Sequence, residues 1–445
     1  MTKKSPKAAL REAIKSAASI RVEYEGISFS LEEALLSEIL DVRFEASGKL
    51  SDAATNLAKA IEQDDRFAAA IYSRISYDAA GHAVLGAKNI ASLLIQHTAK
   101  FGAATKAIKW MIGVLAAKNA SATTYDALWG ISVDEELQLT DELRLIPLTA
   151  AEESPQKQAF TQFKHSKSLL ETQLNLFPPV TALAVDHQID PFVYKHVKKP
   201  EKGEQPSDEY IKHANAIKAA EKQHARRQLL MTDATLVLTL LGPSIPISAA
   251  VWFTMRDRDL QFALERIGNL KMIRAVEILP GRQMAYKIDS VAAVKLVKNF
   301  FALDEHSKKR LRLALKRLNA SQRRQSVGDM ALELAIAFEA LLGDGAPTEM
   351  TNKMAMRSAR LLGGEIADKK LTATIVKEMY RLRSAVVHTG VDPTKPINLG
   401  DDSVKPVELL QKATDKFVKI CTKLIGEGVP MQWGDWDLAE HSSSQ

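Results

Sequence analysis

The sequence predicts an α+β protein: a mixed N-terminal region followed by a C-terminal all-α helical bundle. Three observations carry that prediction. Before residue 289, apolar and polar residues alternate at several places, the period-two pattern of strands. From about Asp289 to Lys423 the alternation disappears and apolar residues recur at three- and four-residue steps. Short Gly- and Pro-containing breaks separate those later runs, which suits helices folded back on one another.

The elements follow in order. Ile20, Val22 and Tyr24 alternate with charged residues and predict a strand; LEEALLSEIL and DAATNLAKAIEQ predict helices. Asp78 to Lys118, rich in Ala, Ile and Leu, predicts buried helices. Alternation returns at Ile131/Val133, Leu137/Leu139 and Leu143/Leu145, and Gln158 to Leu174 reads as helix up to the break at Pro178-Pro179. Lys195 to Tyr210, dense in charge, Pro and Gly, is a linker or exposed loop, and a polar helix from Ile211 to Arg227 follows it. Ala234 to Met255 has the length of a membrane span, but Gly242-Pro243 and Pro246 interrupt it; it reads as a buried helix, a turn and a buried strand, Ala249 to Phe253. Arg274 to Ile288 reads as a hairpin around Pro280-Gly281. Six helices then follow: Val291–Leu303, Lys308–Arg324, Asp329–Leu342, Met350–Leu362, Leu371 to about Val387, and Val407–Ile425. The expected domains are 1–200, mixed, a sensor or targeting module; 201–288, a middle region; 289–428, the bundle; and 429–445, a tail.

Composition narrows the class. A chain of 445 residues exceeds one ordinary core. With 46% hydrophobic and 26% charged residues it is globular in character. A net charge of +6 is compatible with a nucleic-acid partner and equally with a plain Lys/Arg excess. The lone cysteine, Cys421, excludes an intrachain disulfide and a paired-cysteine metal site, and suits a reducing, cytoplasmic setting. The start, MTKKSPKAALREAIKSAAS, lacks the apolar stretch of a secretory signal. Phosphate-loop, HExxH, GxGxxG and GxSxG motifs are absent, and the ten histidines show no metal-ligand spacing, so no metal or cofactor is expected.

The strongest chemical signal is EMYRLRSAVVHTG, Glu378 to Gly390. Arg383 carries a permanent, fork-shaped charge suited to a phosphate, and His388 is the residue type that serves as base and acid near neutrality. Together they suffice for RNA cleavage without metal. The His takes the proton from a ribose 2′-hydroxyl, that oxygen attacks the adjacent phosphate, and the Arg stabilises the added negative charge. The product is a 2′,3′-cyclic phosphate, and DNA lacks the reacting hydroxyl. Spacing alone is unspecific, since a surface Arg and a His at a helix C-terminus read the same way. On a straight helix five residues also turn by about 140°. Cooperation then needs a distorted helix end or a partner subunit.

Three segments, LNASQRRQSVGDMALELAIAFEALL, MAMRSARLLGG and EMYRLRSAVVHTG, together resemble the HEPN superfamily, in its Apea-like branch. They stand in that family's order across roughly the last third of the chain. The resemblance implies a helical domain that pairs with a second copy and gathers Arg383 and His388 of both copies around one cleft. Ser384 holds the place where many catalytic members have Asn, Asp or His, a departure usual for this branch.

Further candidates surround this pair. Glu339, in the apolar half of its helix, requires a partner if buried, and Arg357 or Arg383 is the expected one. Tyr380, one turn before Ser384, is expected to pack. A basic run without acids holds Lys308, Lys309, Arg310, Arg312, Lys316, Arg317, Arg323 and Arg324. It reads either as a track for an RNA backbone or as a solvated helix face. The expected function is a metal-independent endoribonuclease of HEPN type, with RNA as substrate, a homodimer as the working form, and a phage or host trigger sensed by the N-terminal region in antiphage defence. The alternative is a non-catalytic HEPN module for dimerisation or RNA binding.

Overall fold

The computed structural model describes residues 6–19, 21–24, 27–30, 56–68, 70–78, 81–154, 156–157, 179–195, 197, 200–201, 204–242, 245–264, 271–272, 285–345, 349–390, 394–400 and 402–439. The expected helices at LEEALLSEIL and Gln158–Leu174, and the expected hairpin around Pro280-Gly281, lie outside them, save the hairpin's last residues. The first part runs α1 (Pro6–Ala18), β1 (Arg21–Tyr24), β2 (Ile27–Ser30), α2 (Asp65–Ala68), β3 (Ser73–Asp78), β4 (Gly81–Leu85), α3 (Ala87–Phe101) and α4 (Ala104–Ala116). Next come β5 (Ala120–Trp129), β6 (Ile131–Ser132), β7 (Leu137–Gln138), β8 (Leu143–Pro147), β9 (Thr181–Ile189), β10 (Val193–Lys195), α5 (Asp208–Leu238), β11 (Ile247–Met255), α6 (Arg258–Leu264), β12 (Lys271–Met272) and β13 (Tyr286–Lys287). The C-terminal part is α7 (Ser290–Ala302), α8 (Glu305–Arg323), α9 (Val327–Leu342), α10 (Met350–Leu362), α11 (Ile366–Thr389), β14 (Ile397–Leu399), β15 (Asp402–Val404), α12 (Pro406–Glu427) and α13 (Trp433–Leu438). The chain is thus mixed α and β with a helical C-terminal region.

It divides into two compact units, each assembled from separated stretches: 1–123, 186–227 and 253–269 in the first, 124–185, 228–252 and 270–445 in the second. The division differs from the expected contiguous domains 1–200 and 201–288. It passes through α5, β5, β9 and β11, because long elements near the middle of the chain each contribute one half to either unit.

In the first unit β3 pairs antiparallel with β4 and with β10. Helices α1, α3 and α4 build the core with Leu10, Ile14, Ile90, Leu94 and Met111, all essentially excluded from solvent. The strands β3, β4 and β10 are absent from the sequence reading. β4 lies in a stretch read as buried helix, because its Ala and Val fit either element.

The six-stranded sheet has the order β12-β11-β5-β9-β8-β7. Strands β5 and β9 were not anticipated: ASATTYDALW and TALAVDHQI are buried over most of their length, so period-two alternation is lost. The turn from β5 into β6 requires Gly130, whose φ is +83° and whose place would put a Cβ against the Ile245 carbonyl oxygen. The expected polar helix and the buried helix after it are one helix, α5, since the first breaker after Ser207 is Gly242-Pro243.

Local chemistry starts the helices of the second unit. Asp289, Asp304 and Ser326 accept backbone N–H groups of Ala292, Ser307 and Asp329 at 2.8, 2.9 and 3.1 Å, capping α7, α8 and α9. Leu311, Leu315 and Leu318 of α8, Phe338 of α9, Met379 of α11 and Phe417 of α12 are fully buried in one cluster. Each such burial stabilises by roughly 1.5–3 kcal/mol. The same cluster includes Leu128, Leu143, Leu183, Met231 and Val237, so the helical core continues into the sheet and the second half of α5 rather than beginning at residue 289. The described part of the expected tail, residues 429–439, also joins the bundle. Trp433 is 2% exposed and donates its indole N–H to Leu341 O at 3.1 Å. Among the described residues no helix is long and apolar enough to cross a membrane.

Candidate active site

Helix α11 carries the motif and sets its geometry. It starts after Glu365 and stays helical through Thr389. Gly390 ends it in the left-handed region, φ +67°, and its N–H reaches Val386 O at 2.8 Å. No break separates Arg383 from His388, so the two side chains leave the helix about 140° apart. The distorted helix end that a single-chain site needs is not there.

The two residues accordingly have different surroundings. Arg383 is half-buried, and its Nε is enclosed without a hydrogen-bond partner. Tyr380, 5% exposed, lies beside it and donates to Ala335 O of α9 at 3.3 Å. Burial first, and then the neighbouring Glu339 carboxylate, push the Tyr380 phenol well above its ordinary pKa; the Arg383 charge opposes them. Glu339, Tyr380 and Arg383 thus form one group between α9 and α11, with Glu339 half-buried. His388 and Ser384 are exposed, one turn apart on another face.

That outer face holds residues the motif reading missed. Lys370, Lys377 and Arg381 are exposed and fall at helical spacing with Ser384 and His388, within about 40° of a common line. The stripe extends about 27 Å along the axis. Its signal in the sequence is the i, i+4, i+7, i+11 recurrence from Lys377 to His388. Arg381 also pairs with Glu378 at 2.7 Å and remains 77% exposed.

Arg357 departs from expectation. It is 1% exposed and its partners lie outside the motif: Nη2 meets Asp437 at 2.6 Å and Asp344 at 2.9 Å, and Nη1 donates to Leu342 O at 2.6 Å. Its work is to tie α10 to α13 and to the end of α9.

The basic run also divides. Arg312 makes a two-pronged pair with Asp233 of α5, 2.6 and 2.8 Å, and Asp233 is buried. Arg317 and Arg324 hold Glu333 of α9 at 3.0 and 2.7 Å. Burial would raise the Glu333 pKa, but the hydrogen bonds from Arg324 and Arg317 overcome it and keep the group below its usual range. Arg310 donates to Gly343 O, Arg323 donates from Nε to Asn319 O at 3.3 Å, and Lys308 approaches Glu305 at 3.4 Å. Lys309 and Lys316 are exposed. The cations of α8 are therefore mainly internal fasteners, which a charge count could not distinguish from a binding track.

Among the described residues no group of His, Cys, Asp and Glu is arranged to hold a metal ion. Comparison with family models, with curated proteins and with solved structures gave no match for this chain.

Proposed function

We propose that the helical C-terminal region is a HEPN-type domain and that the chain is a metal-independent endoribonuclease whose site is completed by a second copy. The reading rests on the resemblance of the three α8–α11 segments and on one structural observation. His388 stands exposed at the end of a cationic face of α11, with Ser384, Arg381 and Lys377 on the same side. A phosphodiester backbone laid along that face meets cations first and an imidazole at its end. Arg383, about 140° away on the same helix, serves the phosphate facing His388 of the other copy across a two-fold axis. A role in antiphage defence rests on the resemblance alone.

The test is cleavage of RNA in EDTA by the wild type, Arg383→Ala and His388→Ala. Loss of cleavage in both variants, with a 2′,3′-cyclic phosphate as the wild-type product, is the expected result. A 1:1 mixture of the two variants whose copies pair at random recovers about a quarter of wild-type activity, because half of the dimers are mixed and each mixed dimer holds one intact site of two. A mixture as inactive as either variant removes the shared site. Equal activity in all samples removes the assignment. The position of Arg383 beside Glu339 and Tyr380 favours a second reading, a non-catalytic HEPN module in which that group holds α9 to α11.

A further inference from the structure

The second unit holds a cavity whose lining includes no residue of the motif. This cavity, of about 330 Å³, opens between the start of β11, the second half of α5, β5 and the end of α8. That volume lies at the lower end of small-molecule sites and suits one nucleobase-sized or amino-acid-sized group rather than a polymer. Met231, Leu236, Ile247 and Val251 supply its apolar wall.

Its polar lining is uneven in a telling way. Asp126 of β5 is 5% exposed and accepts a short hydrogen bond from Ser248 Oγ. A carboxylate has about four acceptor positions. The hydrogen bond from Ser248 uses one, and no described cation pairs with Asp126. Two buried donors of the lining are committed elsewhere: Thr235 Oγ1 donates to Met231 O at 2.9 Å, and the Asn319 amide donates to Thr239 Oγ1 and Pro246 O at 3.1 and 3.0 Å. Burial therefore pushes the Asp126 carboxyl up to about 7, against the lowering effect of Ser248. Among the described residues, Ser248 alone donates to Asp126. Arg323 is the cation among the cavity's lining residues.

We infer that this cavity binds a small molecule with an amino group directed at Asp126 and an apolar body against α5 and β11. Two sources share that chemistry: an amino-bearing nucleobase and a free amine. Occupancy would touch Asn319 and Arg323 of α8, whose next residue Arg324 holds Glu333 of α9, the helix that also carries Glu339. The ligand thus has a mechanical route toward α9.

The experiment is titration calorimetry on the full chain with guanosine, cytidine, uridine, putrescine and arginine. Uridine, lacking the exocyclic amino group, is the control for the base arm. Binding by guanosine or cytidine and not by uridine or the amines identifies a base; binding by putrescine or arginine alone identifies an amine. Either result is expected to weaken about tenfold or more in Asp126→Asn, which keeps an acceptor for Ser248 but replaces the carboxylate. Val251→Phe, which fills the cavity without touching Asp126, is expected to abolish binding. No heat with any of the five at millimolar concentration overturns the inference, and so does binding that both variants leave unchanged.

Discussion

Arg383 and Asp126 illustrate how a residue's surroundings, more than its type, decide its chemistry. Arg383 is half-enclosed beside Tyr380 and Glu339. Asp126 is held against ionisation until about neutral pH. The linkage has a definite sign. The folded-state pKa of Asp126, about 7, lies above its ordinary value of 3.8. Below about pH 4 the group is protonated in both states and contributes no penalty. As pH rises from there to about 7, the unfolded chain gives up the proton and the folded chain keeps it, so stability falls. Above about 7 the full cost of the buried charge remains, on the order of 4 kcal/mol. Asp126→Asn removes that slope, and the variant is expected to gain stability over wild type between pH 4 and 8 in urea unfolding. A difference between the two that stays flat over this range refutes the burial argument.

At the scale of elements, α8 shows why a charge run is ambiguous before folding. Its Arg312 reaches back to α5 and neutralises Asp233, which is 2% exposed. Arg312→Ala leaves that carboxylate buried and unpaired, with an expected loss of about 2–4 kcal/mol in denaturant unfolding. Lys309→Ala, at an exposed position of the same helix, is expected to stay within about 0.5 kcal/mol of wild type. If the two variants unfold alike, the Arg312–Asp233 pair holds nothing together. Helix α11 shows the opposite case. Its apolar stripe and Gly390 stop were legible from spacing, and so was the geometric obstacle between Arg383 and His388.

For the whole molecule, the C-terminal stretch is a clasp rather than a tail. Arg357 is 1% exposed and depends on Asp437 of α13 for much of its neutralisation, while Trp433 of the same helix fills the core under Leu341. Removing residues 432–445 is therefore expected to destabilise the second unit by about 3–5 kcal/mol, seen as a lowered thermal midpoint. An unchanged midpoint excludes the clasp. The core of the bundle does not begin at residue 289, because it draws on residues of β5, β8, β9 and α5.

The six C-terminal helices were determined by the sequence alone, because their signals are local: an apolar residue every three or four positions, Asp289, Asp304 and Ser326 at the starts, and glycines at several of the ends. The motif residues were equally legible as residue types at a spacing. Tertiary structure alone decided the rest. It paired β3 with β10 across more than a hundred residues, kept β5 and β9 buried beyond the reach of alternation, and turned Arg312, Arg324 and Arg357 inward onto Asp233, Glu333 and Asp437. It also placed Asp126 against Ser248, 122 residues away along the chain. Periodicity records which face of an element is apolar. Which distant carboxylate meets a given arginine, and which is left to face a cavity, depends on packing that no local pattern encodes.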